Sequence, residues 1–500
     1  MDDLKTVYAR ITAGRLTNTT IAFLLLAPII IVSYVSYVFN PVHAENLFLY
    51  GMQLMADTIS ILTMMGLWIT ILMDVIVQDH HRIKTKPKKT LQEWSVDVLI
   101  PVAGEPIEII EQTALAALAM DYPHNTFLLD DAKSLHVEEL ANSLGITYIV
   151  RNNRKHAKAG NLNNGLGFSK GEFFAIFDAD QVPKKDFITK TLPYMGDSEL
   201  SMVQTPQYFS NKEYFIAEGT SEGQEIFYKY VCPAKNISNS VFCVGTNVLF
   251  RRKAIEEIGG IAAVSHSEDI WTSRMLHENG WKTLFVNEIL AIGKAPTTIN
   301  AYFKQQLRWS QGGLSMLFLK NTMFSSNMHI DQKVQYFFTN FFYLVGFSIL
   351  CYILFPILYL LFGLSPLRPE TGLAWLFHYV LFFILYYCLT WLLIGRLSIA
   401  TIATSAASFY PYLLALVTIL FETKNEWVAT TSKAKSVDIM RWIWPHVLII
   451  ILTAYSFVIG WYEPVDQWRT ILYTFWAGWN MYLLMLFILK GSSPEISKLK

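Results

Sequence analysis

Three acidic clusters and one pairing of a cation with an indole carry the chemistry this chain can do. Asp130 and Asp131 close the apolar run NTFLLDD, Asp178 and Asp180 close FFAIFDAD, Asp269 stands in SED, and Gln305, Arg308 and Trp309 stand in QQLRW. Carboxylates of this kind hold Mg²⁺ or Mn²⁺ through oxygen, and such an ion neutralises a departing diphosphate. Asp180, with Asp178, is the expected metal holder, while Asp130 or Asp131 is placed to meet a base or ribose. The fork of Arg308 suits phosphate, and the face of Trp309 suits a pyranose ring. Each cluster also has a plainer reading. Paired acids at a strand end often form turns, an acid such as Asp269 often opens a helix, and a tryptophan often anchors at a membrane interface. As a set, the residue types suit sugar transfer from a nucleotide.

Short apolar runs alternate with helical stretches between Leu91 and about residue 300, which is the pattern of an α/β domain with a mostly parallel sheet. SVDVLIPV, NTFLLDD, ITYIV and FFAIFDAD read as its first four strands. Ligands of such sheets sit at the carboxyl ends of strands, so Asp130, Asp131, Asp178 and Asp180 belong on one rim. HAKAGNLNNG, between the second and fourth strands, adds Lys158 as a cation for phosphate, with Gly160 and Asn161 open to close backbone approach; a solvated lysine at a helix start is the alternative.

Composition places this domain beside a membrane. Hydrophobic residues make up 53% of the 500 and charged residues 16%, too apolar for an ordinary soluble protein. The net charge is zero, so nothing points to nucleic acid. The four cysteines show no metal spacing, which argues against zinc and a disulfide framework. A span needs about 20 mostly apolar residues. Stretches 21–39, 54–77, 336–362, 373–394, 442–461 and 471–489 qualify, and 399–421 is ambiguous. The first reads as an anchor and not a cleaved signal. Arg82, Lys84, Lys86, Lys88 and Lys89 follow the second span, whereas the turn NPVHAEN carries no lysine or arginine, so the amino terminus and the soluble domain are expected in the cytoplasm. Keeping the loop with Lys424, Lys433 and Lys435 on that side requires about six spans and a surface-lying 399–421. The expected parts are a two-span amino-terminal region with a basic connector (1–90), the catalytic domain (91–300), an interfacial helix with QQLRW (301–325), two spans (326–396), an interfacial helix with a gating loop (397–440), and two spans with a short tail (441–500).

The ordered set DDA, HAKAG, DAD, TPQ, FCVGTN, SED and QQLRW, over roughly residues 94–435, resembles the membrane-embedded processive glycosyltransferases of the cellulose synthase type. The resemblance implies a GT-A-like catalytic domain fused to a helical channel region, located in the plasma (inner) membrane. It implies that a UDP-sugar, most simply UDP-glucose, is polymerised to a β-glucan with inversion and secreted through the protein's own channel, with Mg²⁺ or Mn²⁺ as cofactor and the growing chain and the bilayer as partners. By the same resemblance Asp130 is the base contact and Asp178 with Asp180 the metal and diphosphate site. Asp269 is the general base, Gln305 and Arg308 meet the donor, and Trp309, Phe242 and Cys243 lie at the acceptor. Thr431 and Lys433 belong to the gating loop, where a basic cytoplasmic loop is the plainer reading. The chain departs from the family pattern at Ala132, Val244, Ser267, Val428 and Thr430. The stretch 490–500 is too short for a cyclic-dinucleotide receptor domain, so that regulation is not expected. A single-transfer enzyme acting on a lipid acceptor would share the sheet and DAD without needing QQLRW beside pore helices. A transporter with a nucleotide-sugar-binding domain would show inverted halves, which are not found.

Overall fold

The computed structural model describes residues 17–76, 94–264, 267–368, 371–421, 437–462 and 466–492. Thr431 and Lys433 lie outside the described residues, as does the basic connector that carries Lys84 and Lys88.

The strands are β1 (Val96–Val102), β2 (Asn125–Asp130), β3 (Thr147–Val150), β4 (Phe173–Ile176), β5 (Gln181–Pro183), β6 (Leu200–Gln204), β7 (Val248–Arg251), β8 (Lys282–Phe285) and β9 (Ala291–Gly293). Seven form one sheet in the order β3-β2-β1-β4-β7-β6-β8, and β5 pairs with β9 apart from it. Only β7 runs against its neighbours; the remaining pairs in the large sheet are parallel. Helices cover both faces, so the central strands read as nearly unbroken apolar runs and not as alternations. Val98 and Ile100 pack into one core, Leu99 and Ile176 into the other. Asp97, the charge inside β1, is satisfied by the backbone amides of Lys170 and Gly171, at 2.8 and 2.5 Å.

Register places the chemistry. Val102 at the end of β1 lies beside Asp130 at the end of β2, and Leu99 lies beside Ile176 at the end of β4, so the DD pair and the DAD loop emerge along one rim.

Outside the sheet domain, seven helices among the described residues are long and apolar enough to cross a membrane. Six match the expected spans, the second and third beginning earlier, at Leu47 and Ile330. The seventh, over 399–420, breaks at Ser408 into Ile399–Ala407 and Phe409–Leu420. Its first half lies on the helix Phe215–Ile226: Glu222 accepts from the Ser398 amide at 2.9 Å and from Arg396 Nε at 2.9 Å. Its second half lies on the helix Ile299–Phe318, which carries QQLRW. Tyr302 and Ser408 hydroxyls meet at 2.8 Å, Tyr412 donates to Gln306 at 3.0 Å, and Gln311 donates to Thr418 at 3.0 Å.

Candidate active site

Lys158 ties the separate motifs together. It opens the helix Ala157–Phe168, and its ammonium donates to Asp178 Oδ1 and, at 2.8 Å, to the carbonyl of Gly245. Gly245 has φ +90°, and a Cβ there would lie 3.3 Å from Asp269 Oδ2 and 3.5 Å from Lys158 Nζ. Only a residue without a side chain can pass between this carboxylate and the ammonium in that conformation. The backbone amide of Asp178 donates to Thr246 Oγ1 at 2.9 Å, which joins the DAD loop to the FCVGTN loop a second time.

The charges of this cluster are shifted. Burial, with Glu268 next to it, pushes Asp269 up to about 7, against the opposing pull of the Ile270 amide, Lys158 and Arg308. Burial first, then the like charges of Asp178 and Glu105, pushes Asp180 up to about 7. Glu105, in the loop after β1, is also raised by burial, and Asp178 and Asp130 add to it. Burial disfavours the Lys158 charge, but Asp178, Glu268 and Asp269 outweigh it and hold that lysine above its ordinary range. Mutually repelling carboxylates beside a cation mark a place built for a charged ligand.

The DD pair is occupied locally. Asp130 Oδ1 accepts from the Ala132 amide at 2.7 Å, and Oδ2 accepts from the Ser134 amide at 2.7 Å and from the Tyr148 hydroxyl at 3.0 Å. Asp131 forms a two-pronged pair with Arg151 at 2.6 and 2.7 Å, with both side chains buried. Arg151 continues to the carbonyls of Lys155 and Ala157, each at 2.7 Å, and so shapes the turn that delivers Lys158. The space at Gly160 serves Arg151 and not a ligand, because a Cβ there would sit 2.2 Å from Arg151 Nη1. Asn161 likewise donates to the Leu129 carbonyl at 2.7 Å, packing its helix on β2.

The QQLRW helix is capped by Thr298 and lies against the SED segment. Ser267 Oγ donates to the Arg308 carbonyl at 3.4 Å, and Arg308 is near enough to Asp269 to act on its charge. Gln305 Oε1 is buried without a hydrogen-bond partner among the described residues, an orphan acceptor on the same helix. Trp309 is half-buried one residue beyond Arg308. Phe242 is half-buried, with Phe227 and Tyr336 rings at 5.8 and 6.5 Å. Cys243 is buried, its sulfur accepts from the Gly245 amide at 3.2 Å, and burial pushes its thiol well above the ordinary range, so it is no nucleophile. Asp178, Lys158, Gly245, Asp269 and Arg308 thus come together. Asp130 and Asp131 sit one strand away in their own networks. Glu105 and Arg151 escaped the sequence reading, although each stands just beyond a strand's carboxyl end, the position that exposed the four aspartates.

Residues 173–395 match the family described as glycosyl transferase family group 2. The UDP-forming cellulose synthase catalytic subunit of Pseudomonas fluorescens is 32% identical over 292 residues, 56% of this chain and 39% of that relative. Cellulose synthase 2 of Novacetimonas hansenii is 32% identical over 285 residues, 55% of this chain and 17% of that relative. The chain therefore aligns with two fifths or less of these relatives' length. A mannosyltransferase of Pyrobaculum calidifontis, solved with GDP-mannose and Mn²⁺, superposes with a TM-score of 0.55 over 75% of this chain and 100% of that one at 15% identity, a likeness of fold. The matches support a glycosyltransferase with a GT-A-like catalytic domain, similar in sequence to the catalytic subunits of cellulose synthases.

Proposed function

We propose that the protein is a processive, inverting glycosyltransferase that draws hexose from a UDP-sugar, most simply UDP-glucose, extends a β-glucan, and passes it outward between its own membrane helices. The observation that supports this best is the meeting of Asp269, Lys158 and Arg308 at the QQLRW helix: one carboxylate with a raised proton affinity, two cations, and an indole on the residue after Arg308. The acceptor hydroxyl attacks the anomeric carbon as the bond to the diphosphate breaks, and its proton passes to Asp269, whose affinity near 7 suits a base at neutral pH. Lys158 and Arg308 receive the negative charge that develops on the leaving group.

A divalent cation fits at Asp180. Asp178 is engaged by Lys158, whereas Asp180 carries the repulsion of Asp178 and Glu105 that a cation would relieve. Such an ion takes one or two carboxylates together with phosphate oxygens and water. When bound, Mg²⁺ or Mn²⁺ supplies charge neutralisation to the diphosphate. Asp130 and Asp131 shape the nucleotide end of the site.

The catalytic domain belongs in the cytoplasm, with six spans and 399–420 lying on the membrane surface, held by Glu222 and the QQLRW helix. The deciding experiment offers a panel of nucleotide sugars to the purified protein and follows nucleoside diphosphate release with linkage analysis of the product. Long β-linked chains from UDP-glucose support the reading. A single sugar placed on a lipid, or release from another donor alone, overturns it.

A further inference from the structure

Lys235 is 2% exposed, and among the described residues it forms no ion pair. Its ammonium is spent on neutral groups: Gln335 Oε1 at 3.1 Å, the Gln335 carbonyl at 3.4 Å and Thr339 Oγ1 at 2.9 Å, all on the membrane helix Ile330–Phe341. Gln335 is fixed in turn by the Thr70 hydroxyl at 3.1 Å, from the membrane helix Leu47–Ile76. On its other side the ammonium stands 5.7 Å from the centre of the Phe242 ring, at the head of the FCVG loop. One buried cation thus joins two membrane helices to the loop that leads into Gly245 and the base.

We propose that Lys235 is a positioning residue for glycosyl transfer, holding the acceptor-side loop, through Phe242, on the membrane helix that begins at Ile330. This rests on the reading of that loop as the acceptor side.

Stability does not account for a cation here. Charge taken from water without an opposite charge is costly, and an apolar side chain of similar volume in its place is often neutral or stabilising. Burial depresses the Lys235 pKa to about 8, with the Cys232 thiol on its own turn the titratable neighbour that acts back on it. The other facing titratable group, His277, is itself lowered to about 3 by burial and by Lys235, and bonds Tyr336 and Thr283 as a neutral ring. A folded-state pKa below the unfolded one means that the fold gains stability as pH rises from about 8 towards the unfolded lysine value. The clamp, which needs the ammonium for its cation–π contact, weakens over that same rise. A purely structural lysine would not separate the two trends.

The test uses the full chain in lipid nanodiscs and compares wild type with Lys235→Met and Lys235→Arg. In the Met variant, thermal stability should be equal or higher, UDP affinity should stay within about two-fold, and the acceptor KM should rise roughly 10-fold, the size of losing hydrogen bonds to a charged group. The wild-type acceptor KM should climb as pH passes about 8, whereas that of the Arg variant should not. Hydrogen exchange, corrected for intrinsic rate, gives a reading independent of turnover: amides of 242–246 should lose protection above that pH in wild type, keep it in Lys235→Arg, and lack it at every pH in Lys235→Met. A Met variant that is less stable with an unchanged acceptor KM, or wild-type protection that stays flat through that range, overturns the proposal. If wild type transfers sugar to no acceptor, the active-site reading fails, and the exchange data still decide the clamp. If neither variant folds, the wild-type exchange profile decides it alone.

Discussion

Ser267 and Gly312 are in contact so close that a Cβ on the glycine would fall 1.9 Å from the serine Oγ. This contact sets the distance between Asp269, the proposed base two residues after Ser267, and the helix face that carries Arg308 and Trp309. Gly312→Ala should force the two apart. A displacement of about 1 Å in a catalytic constellation costs on the order of 10²-fold, so transfer per folded enzyme should fall by that order. Ser267→Gly removes the atoms in the way, and the double variant should recover most of the loss. Two losses that simply add in the double-mutant cycle would refute the coupling.

The raised proton affinity of Asp269 has opposite consequences for activity and stability. With Asp269 as the proposed base, turnover requires its carboxylate, so kcat should rise as pH passes about 7. Folding favours the protonated form, because the folded pKa lies above the unfolded one; the stabilisation is complete below the unfolded value and is lost as pH climbs to about 7. Asp180 adds a loss of the same sign over the same range. Asp269→Asn should lower transfer by about 10²-fold or more, keep donor binding, and unfold at a higher temperature than wild type above neutral pH. Turnover like wild type would defeat the assignment, and a lower unfolding temperature there would defeat the account of its burial.

Removing the Asp180 carboxylate from the proposed metal site should act on the nucleotide. Asp180→Ala should weaken metal-dependent UDP binding and flatten its response to Mn²⁺ concentration, since a hard cation loses a protein ligand. Calorimetric titration of UDP with and without chelator reads this directly. Chelator-resistant synthesis by the native enzyme would show that no cation works at Asp180.

Arg151 and Asp131 should behave as a structural pair first. Arg151→Met leaves a buried carboxylate unpaired, at a cost of about 3–5 kcal/mol, whereas the Arg151→Met/Asp131→Leu double variant should regain much of it. Thermal unfolding of the four proteins closes the cycle, and full stability in Arg151→Met would show that the pair contributes nothing to the fold.

What could be read from the chain, and what could not, follows from range. Strands β1 to β4 were legible because buried parallel strands leave apolar runs between helices, and their carboxyl ends located Asp178 and Asp180. β5 to β9 were not, since QVP, LSMVQ, VLFR, KTLF and AIG stand outside that alternation and acquire strand character from partners distant in sequence. Asp131 looked like a ligand contact because its partner Arg151 is visible only in space. Gly312 carries no signal in the sequence, because the Ser267 that stands against it is 45 residues away in the chain. The register of QQLRW against SED was therefore hidden, although both motifs were plain, and Thr431 and Lys433 lie outside the described residues.

Trp309 separates a polymerase from a single-transfer enzyme. It follows Arg308 on a helix whose neighbours Gln306 and Gln311 are bonded to Tyr412 and Thr418, so the helix is held without help from the indole. If the indole supports the acceptor sugar, Trp309→Ala should leave donor binding through Asp180, Lys158 and Arg308 intact, because those groups address nucleotide and diphosphate. Polymer yield should collapse, while slow hydrolysis of the donor persists, since water needs no stacking surface and the base remains in place. If the indole only anchors the helix at the interface, Trp309→Phe and Trp309→Tyr should match wild type, and Trp309→Ala should reduce folded protein without changing activity per molecule. Polymer formed and UDP released, each per folded enzyme, distinguish the cases: unchanged polymer per molecule in the alanine variant would remove Trp309 from the acceptor site.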